Sequence, residues 1–273
     1  MSREDNKRIF EENKVIVRNN FYIADGRQVS FEFSPDEHKR VIVISPVKIK
    51  EIISDKDKKI EKSESCKFSI TNGDSFSVKT DIVLNFASAT RAGGGYETGA
   101  SAQEEALCRQ STLYSSIASR AASEMYNYNR DNPSPVNSDY MLISPCVEVF
   151  RDVNMKLLPE PHKTAVITSP APNLNRRAAG LSKAKLHEVM TDKVRKVLIA
   201  SAYYGFRTIT LGAWGCGVFG HNPADMAGYF REVLIDEKYC ELFDGVVFAI
   251  LDRTKSSANY TAFEKTFADY LGK

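Results

Sequence analysis

The sequence has few residues of the kinds that mark disulfide-stabilised, metal-binding or membrane proteins. It contains five cysteines, an odd number, and no two of them form a CxxC pair: Cys66, Cys108, Cys146, Cys216 and Cys240. This pattern is typical of reduced thiols in a cytosolic protein, and it lacks the clustered Cys or His ligands of a zinc site. No apolar run approaches the roughly 20 residues of a membrane span, and the N-terminus MSREDNKRIF is too charged for a signal peptide. We therefore expect a cytoplasmic protein that has no metal ion and no membrane contact.

An excess of either charge is also missing. The 273 residues carry a formal net charge of +2, which gives no electrostatic reason to expect sequence-specific binding of nucleic acid. Hydrophobic content of 42% and charged content of 26% are ordinary for a globular protein. No internal repeat or low-complexity linker divides the chain, so we expect a single domain, residues 1–273, in a monomeric protein. Within it we distinguish an N-terminal accessory segment, residues 1–65, from a core at residues 66–273.

The order of the hydrophobic patterns predicts an α/β fold. An amphipathic helix at residues 4–18 precedes short strands near Tyr22 and at 29–33, and residues 48–62 are charged enough for a solvated helix or loop. Strands are then predicted at 81–86, 140–144, 165–168, 208–211 and 245–251. Helices alternate with them at 101–126, 182–204, 223–235 and 259–271. This alternation predicts three α/β/α layers around a mixed, largely parallel central sheet, with the N-terminal helix as an extension.

A glycine-rich loop follows the strand at 81–86. It contains three consecutive glycines, Gly93, Gly94 and Gly95, which allow backbone to approach a ligand closely. A purely structural interpretation makes the glycines a flexible turn, Ser101 the N-cap of the next helix and Glu104 the N3 residue of a capping box. That interpretation leaves the second carboxylate, Glu105, without a role.

A second glycine-rich loop, residues 212–223, lies between the strand at 208–211 and a helix that begins near Pro223. Gly215 and Gly217 would leave backbone N–H groups free to face an anion, as at other helix N-termini. The loop lacks the Gly-Lys-Ser/Thr ending of a Walker A motif. Phe219 could stack on a sugar or base or simply pack, and we interpret His221 as a polar loop residue. Two such loops after two strands of one sheet indicate a ligand that carries a diphosphate.

These residues carry a resemblance to a known family. The three glycines, seven further residues and then Gln103, Glu104 and Glu105 resemble the signature of the poly(ADP-ribose) glycohydrolases. The run Gly-Ala-Trp-Gly-Cys-Gly-Val-Phe at 212–219 resembles the bacterial-type branch of that family. The resemblance implies a macrodomain-like fold that binds ADP-ribose in a cleft, with residues 66–273 as its catalytic core and without a cofactor. It also implies ADP-ribose and poly(ADP-ribose) on modified proteins as partners.

The same resemblance implies roles for individual residues. Glu105 would be the catalytic acid and base, Glu104 would hold the ribose hydroxyls, and Asn85 would lie near that ribose. Asp81 is a weaker candidate for the adenine side. The other implied substrate-binding residues are Gly93, Gly94, Gly95, Gln103, Gly215, Cys216, Gly217, Val218 and Phe219. Side chains of adjacent helical residues diverge by roughly 100°, so we expect Glu105 alone to protonate the leaving oxygen and activate water.

The sequence also departs from the family pattern. Thr90, Arg91 and Ala92 replace an Asn-Pro-like turn before the glycines, and Tyr96 stands where Phe is common. The tyrosine-bearing hairpin of the longer animal enzymes is not recognisable, so we expect cleavage mainly from chain ends. Three alternatives remain open: a non-catalytic ADP-ribose reader, a hydrolase of mono-ADP-ribosylated targets and an unrelated nucleotide-binding enzyme. Glu105 distinguishes the first of these, because a reader needs no such carboxylate.

Overall fold

In a computed structural model, the described residues, 1–252 and 256–272, contain a seven-stranded mixed sheet and a separate two-stranded hairpin. The hairpin strands are β1 (Phe21–Ala24) and β2 (Arg27–Ser30). The sheet strands are β3 (Ile42–Ile44), β4 (Lys67–Thr71), β5 (Ile82–Phe86), β6 (Met141–Arg151), β7 (Leu157–Ser169), β8 (Thr208–Leu211) and β9 (Gly245–Ala249). Their order is β3-β6-β7-β5-β8-β9-β4, with antiparallel pairing at β3–β6 and β6–β7 and parallel pairing elsewhere. The predicted mixed, largely parallel sheet is confirmed.

Helices cover both faces of this sheet. Their bounds are α1 (Arg3–Asn19), α2 (Pro46–Lys59), α3 (Gln103–Gln110), α4 (Leu113–Ile117), α5 (Ser123–Asp131), α6 (Lys183–Tyr203), α7 (Pro223–Arg231) and α8 (Ala258–Phe267). Neighbouring strand residues point to opposite layers: Ile82 and Leu84 pack with α2, α6, α7 and α8, whereas Val83 packs with α1, α3, α4 and α5. The three-layer fold with an N-terminal helix is therefore confirmed.

Residues before Cys66 also take part in this architecture. Strand β3 forms an edge of the central sheet by pairing with β6, and α2 packs on α6. The charged segment at 48–62 is mostly this helix, whose Ile49 and Ile52 are buried while its charged side chains face solvent. Its pattern was ambiguous because only one narrow face of the helix contacts the core.

The long helix predicted at 101–126 is wrong, because the chain forms α3, α4 and α5 instead. At Ser111 the backbone adopts an extended conformation and forms a β-bridge with Val149 of β6. The Thr112 N–H donates to the Glu148 carbonyl oxygen. Pairing with a strand distant in sequence thus interrupts a locally helical pattern. The N-cap of α3 is Ala102, so the capping box predicted from Ser101 and Glu104 is also wrong.

The sheet brings the two glycine-rich loops together. Strands β5 and β8 are parallel neighbours, with Ile82 opposite Ile209 and Val83 opposite Thr210. The loops that follow these strands therefore both begin at the carboxyl ends of the strands, where ligands of α/β proteins usually bind.

Candidate active site

The glycine turn at residues 93–95, which follows β5, packs closely against the carboxylates of Glu104 and Glu105. Gly93 and Gly94 have left-handed backbone angles, φ 66° and 55°. A Cβ at Gly94 would lie 2.6 Å from Oε1 of Glu105 and 3.1 Å from Oε2 of Glu104. The next residue, Gly95, donates its N–H to Oε1 of Glu105 at 2.8 Å. Glycine is required here both for the backbone angle and for the close approach.

Glu104 and Glu105 occupy the first turn of α3, and their side chains are only 3% and 7% exposed. Oε2 of Glu104 accepts the Ser88 N–H at 2.8 Å, and its Oε1 lies 3.4 Å from Nδ2 of Asn85. Burial raises the pKa of Glu104 to about 8, against the opposing effect of these hydrogen bonds. Glu104 is therefore mostly a neutral carboxyl at pH 7, able to donate as well as accept.

Asn85 lies at the carboxyl end of β5 and is completely buried. Its Nδ2 donates to Oγ1 of Thr168 at 3.1 Å, while its Oδ1 has no hydrogen-bond partner among residues 1–252 and 256–272. A buried amide oxygen without a partner next to Glu104 is consistent with a ligand hydroxyl at this position.

Gln103 connects the start of α3 to the sheet. Its Oε1 accepts the Phe86 N–H at 2.9 Å, and its Nε2 donates to the Leu84 carbonyl oxygen at 2.9 Å and to Oγ of Ser75 at 3.0 Å. These three bonds fix the position of the helix start, and hence of the two glutamates. Gln103 is thus a positioning residue in this structure, although its side chain also lines the neighbouring cavity.

Helix α1 supports the same turn from outside. Nδ2 of Asn13 donates to the Tyr96 hydroxyl at 3.1 Å and to the Arg109 carbonyl oxygen at 2.8 Å. Nδ2 of Asn6 donates to the Gly99 carbonyl oxygen at 3.0 Å. The N-terminal helix therefore contacts the segment that positions Glu104 and Glu105, a role that the sequence did not reveal.

The second loop is held by the segment that follows β7. Nδ2 of Asn175 donates to the Val218 carbonyl oxygen at 2.9 Å, and Nε2 of His221 bonds the Pro172 carbonyl oxygen at 2.7 Å. Burial lowers the pKa of His221, so its ring is neutral and serves the loop structure. Burial also raises the pKa of Cys216 to about 12, which makes it a neutral thiol.

A cavity of about 310 Å³ lies between the second loop and the start of α3. Of the residues predicted for the ligand, five line it: Gln103, Gly215, Gly217, Val218 and Phe219. Cys216 belongs to the same loop but not to this lining, and the glutamates and glycine turn lie beside it. Phe86, at the end of β5, completes the wall next to Gln103.

Sequence reasoning missed other parts of this cavity. The loop after β4 contributes Gly73, Asp74 and Ser75, and the segment after β9 contributes Ile250 and Leu251. A turn signal, Asn-Gly-Asp at 72–74, was present after a short strand and could have indicated a third loop at this edge of the sheet.

Asp81 is placed far from the cavity. It precedes the amino end of β5, where its Oδ2 accepts the N–H groups of Arg207 and Thr208 at 2.9 and 2.8 Å. The interpretation of Asp81 as an adenine contact is therefore wrong, because the loops that form the cavity lie at the carboxyl ends of the strands, and Asp81 lies at the amino end of β5.

The part of the chain that the structure describes has neither a cluster of metal-ligating side chains nor a helix that could span a membrane. No group of three or more His, Cys, Asp or Glu side chains there is arranged to hold a metal ion. None of the helices in residues 1–252 and 256–272 has the length and apolarity to cross a membrane.

Comparisons with known proteins agree with this geometry. Residues 11–152 match the family described as the catalytic domain of microbial-type poly(ADP-ribose) glycohydrolase. The crystal structure of poly(ADP-ribose) glycohydrolase from Thermomonospora curvata is 32% identical over 97% of this chain and 100% of that chain, with a TM-score of 0.88. The enzyme from Deinococcus radiodurans in complex with ADP-ribose is 30% identical over 88% of this chain and 99% of that chain, with a TM-score of 0.79. A comparison with curated proteins found no match.

The matches agree with the fold described above. The Thermomonospora structure covers nearly all of the chain at more than 30% identity. The chain therefore belongs to the bacterial-type poly(ADP-ribose) glycohydrolase family, whose fold is macrodomain-like.

Proposed function

We propose that this protein hydrolyses the ribose–ribose O-glycosidic bond of poly(ADP-ribose) and releases ADP-ribose. The observation that carries this proposal is the buried pair Glu104 and Glu105, held against Gly94 beside a cavity large enough for a nucleoside. The family supports it, because the Deinococcus relative is a glycohydrolase that was crystallised with ADP-ribose.

Glu105 is the proposed acid and base. Its Oε1 accepts the Gly95 N–H, which leaves Oε2 for the substrate. Glu105 protonates the leaving ribose oxygen as the bond from that oxygen to the anomeric carbon breaks, with positive charge developing on the ring. The resulting carboxylate then takes a proton from a water molecule, whose oxygen bonds to the anomeric carbon. The proton on Glu105 is restored, and ADP-ribose is the product.

Glu104 and Asn85 are proposed to orient the ribose that is attacked. A neutral Glu104 can donate to one hydroxyl and accept from another, and it adds no second negative charge beside Glu105. The unpartnered Oδ1 of Asn85 can accept from a hydroxyl in the same place. The turn at 93–95 and the second loop would bind the diphosphate with backbone N–H groups, and the cavity at Phe86 and Phe219 would hold the adenosine.

The test is release of free ADP-ribose from purified polymer and, separately, from mono-ADP-ribosylated protein. Release from polymer supports the proposal. Release from the mono-ADP-ribosylated protein alone would identify the protein as a hydrolase of single units. Binding of ADP-ribose without release from either substrate would identify a reader. Free ADP-ribose is expected to inhibit, because it fills the product site.

Gly217→Val is expected to weaken ADP-ribose binding without unfolding the protein. Gly217 lines the cavity, and a Cβ there would meet nothing within 4 Å, so the side chain would project into open space that the ligand needs. Losing one hydrogen bond to a charged group costs about 1.5 kcal/mol, so we expect a Kd at least about tenfold higher. Calorimetric titration of the variant with ADP-ribose measures this Kd.

Gly180→Val is the matched control for this change. Gly180 is exposed and also has open space around its Cβ position, but it does not line the cavity. We expect both variants to melt near the wild-type temperature and only Gly217→Val to lose affinity. Equal affinity of the two variants would place the diphosphate outside the second loop.

We propose further that cleavage proceeds mainly from chain ends. The second loop and the segment at Ile250 and Leu251 both line the cavity, and these walls would leave little room for a continuing chain beyond the bound unit. Sizing the products of long polymer tests this. Monomeric ADP-ribose should accumulate from the earliest times, and early appearance of free oligomers would instead show internal cleavage.

We propose that residues 1–273 act as one catalytic unit, in which the segment at 1–65 supports the core at 66–273 through α1, β3 and α2. We propose a cytoplasmic monomer that acts on ADP-ribose polymer attached to proteins and makes no sequence-specific contact with nucleic acid.

A further inference from the structure

A second cavity lies on the other side of the glycine turn from the glutamates. It has a volume of about 230 Å³ and is formed by the turn at 90–92 and by α4 and α5. Gly93 lies against its wall, because a Cβ at Gly93 would be 2.9 Å from the ring of Tyr114. Gly94, the next residue, contacts Glu104 and Glu105. The thickness of one backbone turn therefore separates this cavity from the proposed reaction centre.

Arg130, an exposed arginine, lines this cavity. Nη1 of Arg130 donates to the Thr90 carbonyl oxygen at 2.9 Å, and Nη2 donates to the side chain of Asn127. No ion pair between Arg130 and a carboxylate occurs within residues 1–252 and 256–272. The neighbouring Arg91 differs, because it pairs with Glu97 at 3.0 Å. Arg130 thus fixes the turn before the glycines while its charge is available to an anion.

Tyr126 lines the same cavity and has a buried hydroxyl. Its side chain is 4% exposed and lines the cavity, and its hydroxyl has no hydrogen-bond partner in the described part of the chain. Burial, together with the nearby Glu104 carboxyl, raises the pKa of Tyr126 well above its usual value. The phenol therefore keeps its proton, and a buried donor of this kind is normally satisfied by some partner.

The chain connects this cavity directly to the reaction centre. Ser88 donates its N–H to Glu104, and the residues that follow it, 90–92, form the cavity wall. The 310 Å³ cavity and the glycine loops account for the ADP-ribose unit that is released. Neither the 310 Å³ cavity nor the glycine loops provide a binding site for the group on the other side of the cleaved bond.

We propose that the cavity at 90–92 and Arg130 is a leaving-group pocket, which takes the phosphorylated nucleoside that follows the cleaved bond in the polymer. Arg130 would pair with a phosphate of that next unit. This inference rests on the proposed function and adds a specificity to it. The leaving group of a polymer always carries phosphate, whereas the side chain of a mono-ADP-ribosylated protein does not, so the pocket favours polymer over single units.

The test separates the two sides of the cleaved bond. Arg130→Gln removes the charge and retains a group able to donate to Thr90, so we expect kcat/KM on polymer to fall about tenfold through loss of one charge-assisted contact. The inhibition constant of free ADP-ribose should not change, because ADP-ribose occupies only the released-unit side. Arg130→Lys should recover most of the polymer activity. The difference in kcat/KM between the wild type and Arg130→Gln should shrink as salt is added, because salt screens the charge of Arg130.

Arg27→Gln is the matched control, since Arg27 is an exposed arginine at the start of β2, directly after the hairpin turn. It should behave like the wild type with both probes. Unchanged polymer kinetics in Arg130→Gln, or a parallel loss of ADP-ribose affinity, would overturn the pocket assignment. A wild-type protein that releases nothing from polymer would overturn the proposed function itself.

Discussion

Glu105→Gln is expected to lower the release of ADP-ribose from polymer about a thousandfold, within the range typical of a lost general acid and base. An amide has nearly the same shape, and its oxygen can still accept the Gly95 N–H that now binds Oε1 of Glu105. It cannot give a proton to the leaving oxygen or take one from water. Affinity for ADP-ribose, measured by calorimetry, should remain within a few-fold of wild type.

The control for this variant is Glu51→Gln. Glu51 is an exposed glutamate of α2, a helix that packs with α6 in the opposite helical layer from α3. The same chemical change there should leave turnover unaffected. Near-normal turnover in Glu105→Gln would remove Glu105 from the mechanism and direct attention to Glu104, whose pKa is already raised by burial.

Gly94→Ala is expected to lower turnover about a hundredfold, because small misplacement of a catalytic group is costly. The added methyl group would lie 2.6 Å from Oε1 of Glu105, so the carboxylate must move or the turn must open. The left-handed angle, φ 55°, adds a strain of about 1 kcal/mol to the folded state. Steady-state kinetics and a thermal melt on the same sample separate the two effects.

Gly26→Ala isolates the strain from the collision. Gly26 has a φ of 75°, but a Cβ there would meet nothing within 4 Å. Both alanine variants should therefore lose stability through backbone strain, Gly94→Ala should lose more because of the collision, and only Gly94→Ala should lose activity. Equal activity of the two would mean that the turn does not hold Glu105 in its reactive position.

The sequence alone predicted the layers of the fold and the location of the loops. Strand residues such as Val83 and Leu84 alternate between the two helical layers, and short apolar runs of this kind are visible without a structure. The conformational demands of Gly94 and Gly215 are equally local, since both adopt positive φ as glycine-rich turns require. The role expected of Glu105 was implied by the family resemblance, which rests on the spacing between the three glycines and Gln103, Glu104 and Glu105.

Tertiary structure decided what depends on residues distant in the chain. The helical pattern at 101–126 continues through Ser111, yet the backbone breaks there because pairing with Val149 of β6 satisfies its hydrogen bonds instead. Proximity across the sheet placed Asp74 in the lining of the cavity beside α3, and packing of α5 placed Arg130 beside the turn that precedes the glycines. Local sequence patterns determine helical or strand periodicity and the residues of turns. Contacts between distant segments depend on the free energy of packing the whole chain, and a short stretch of sequence cannot determine it.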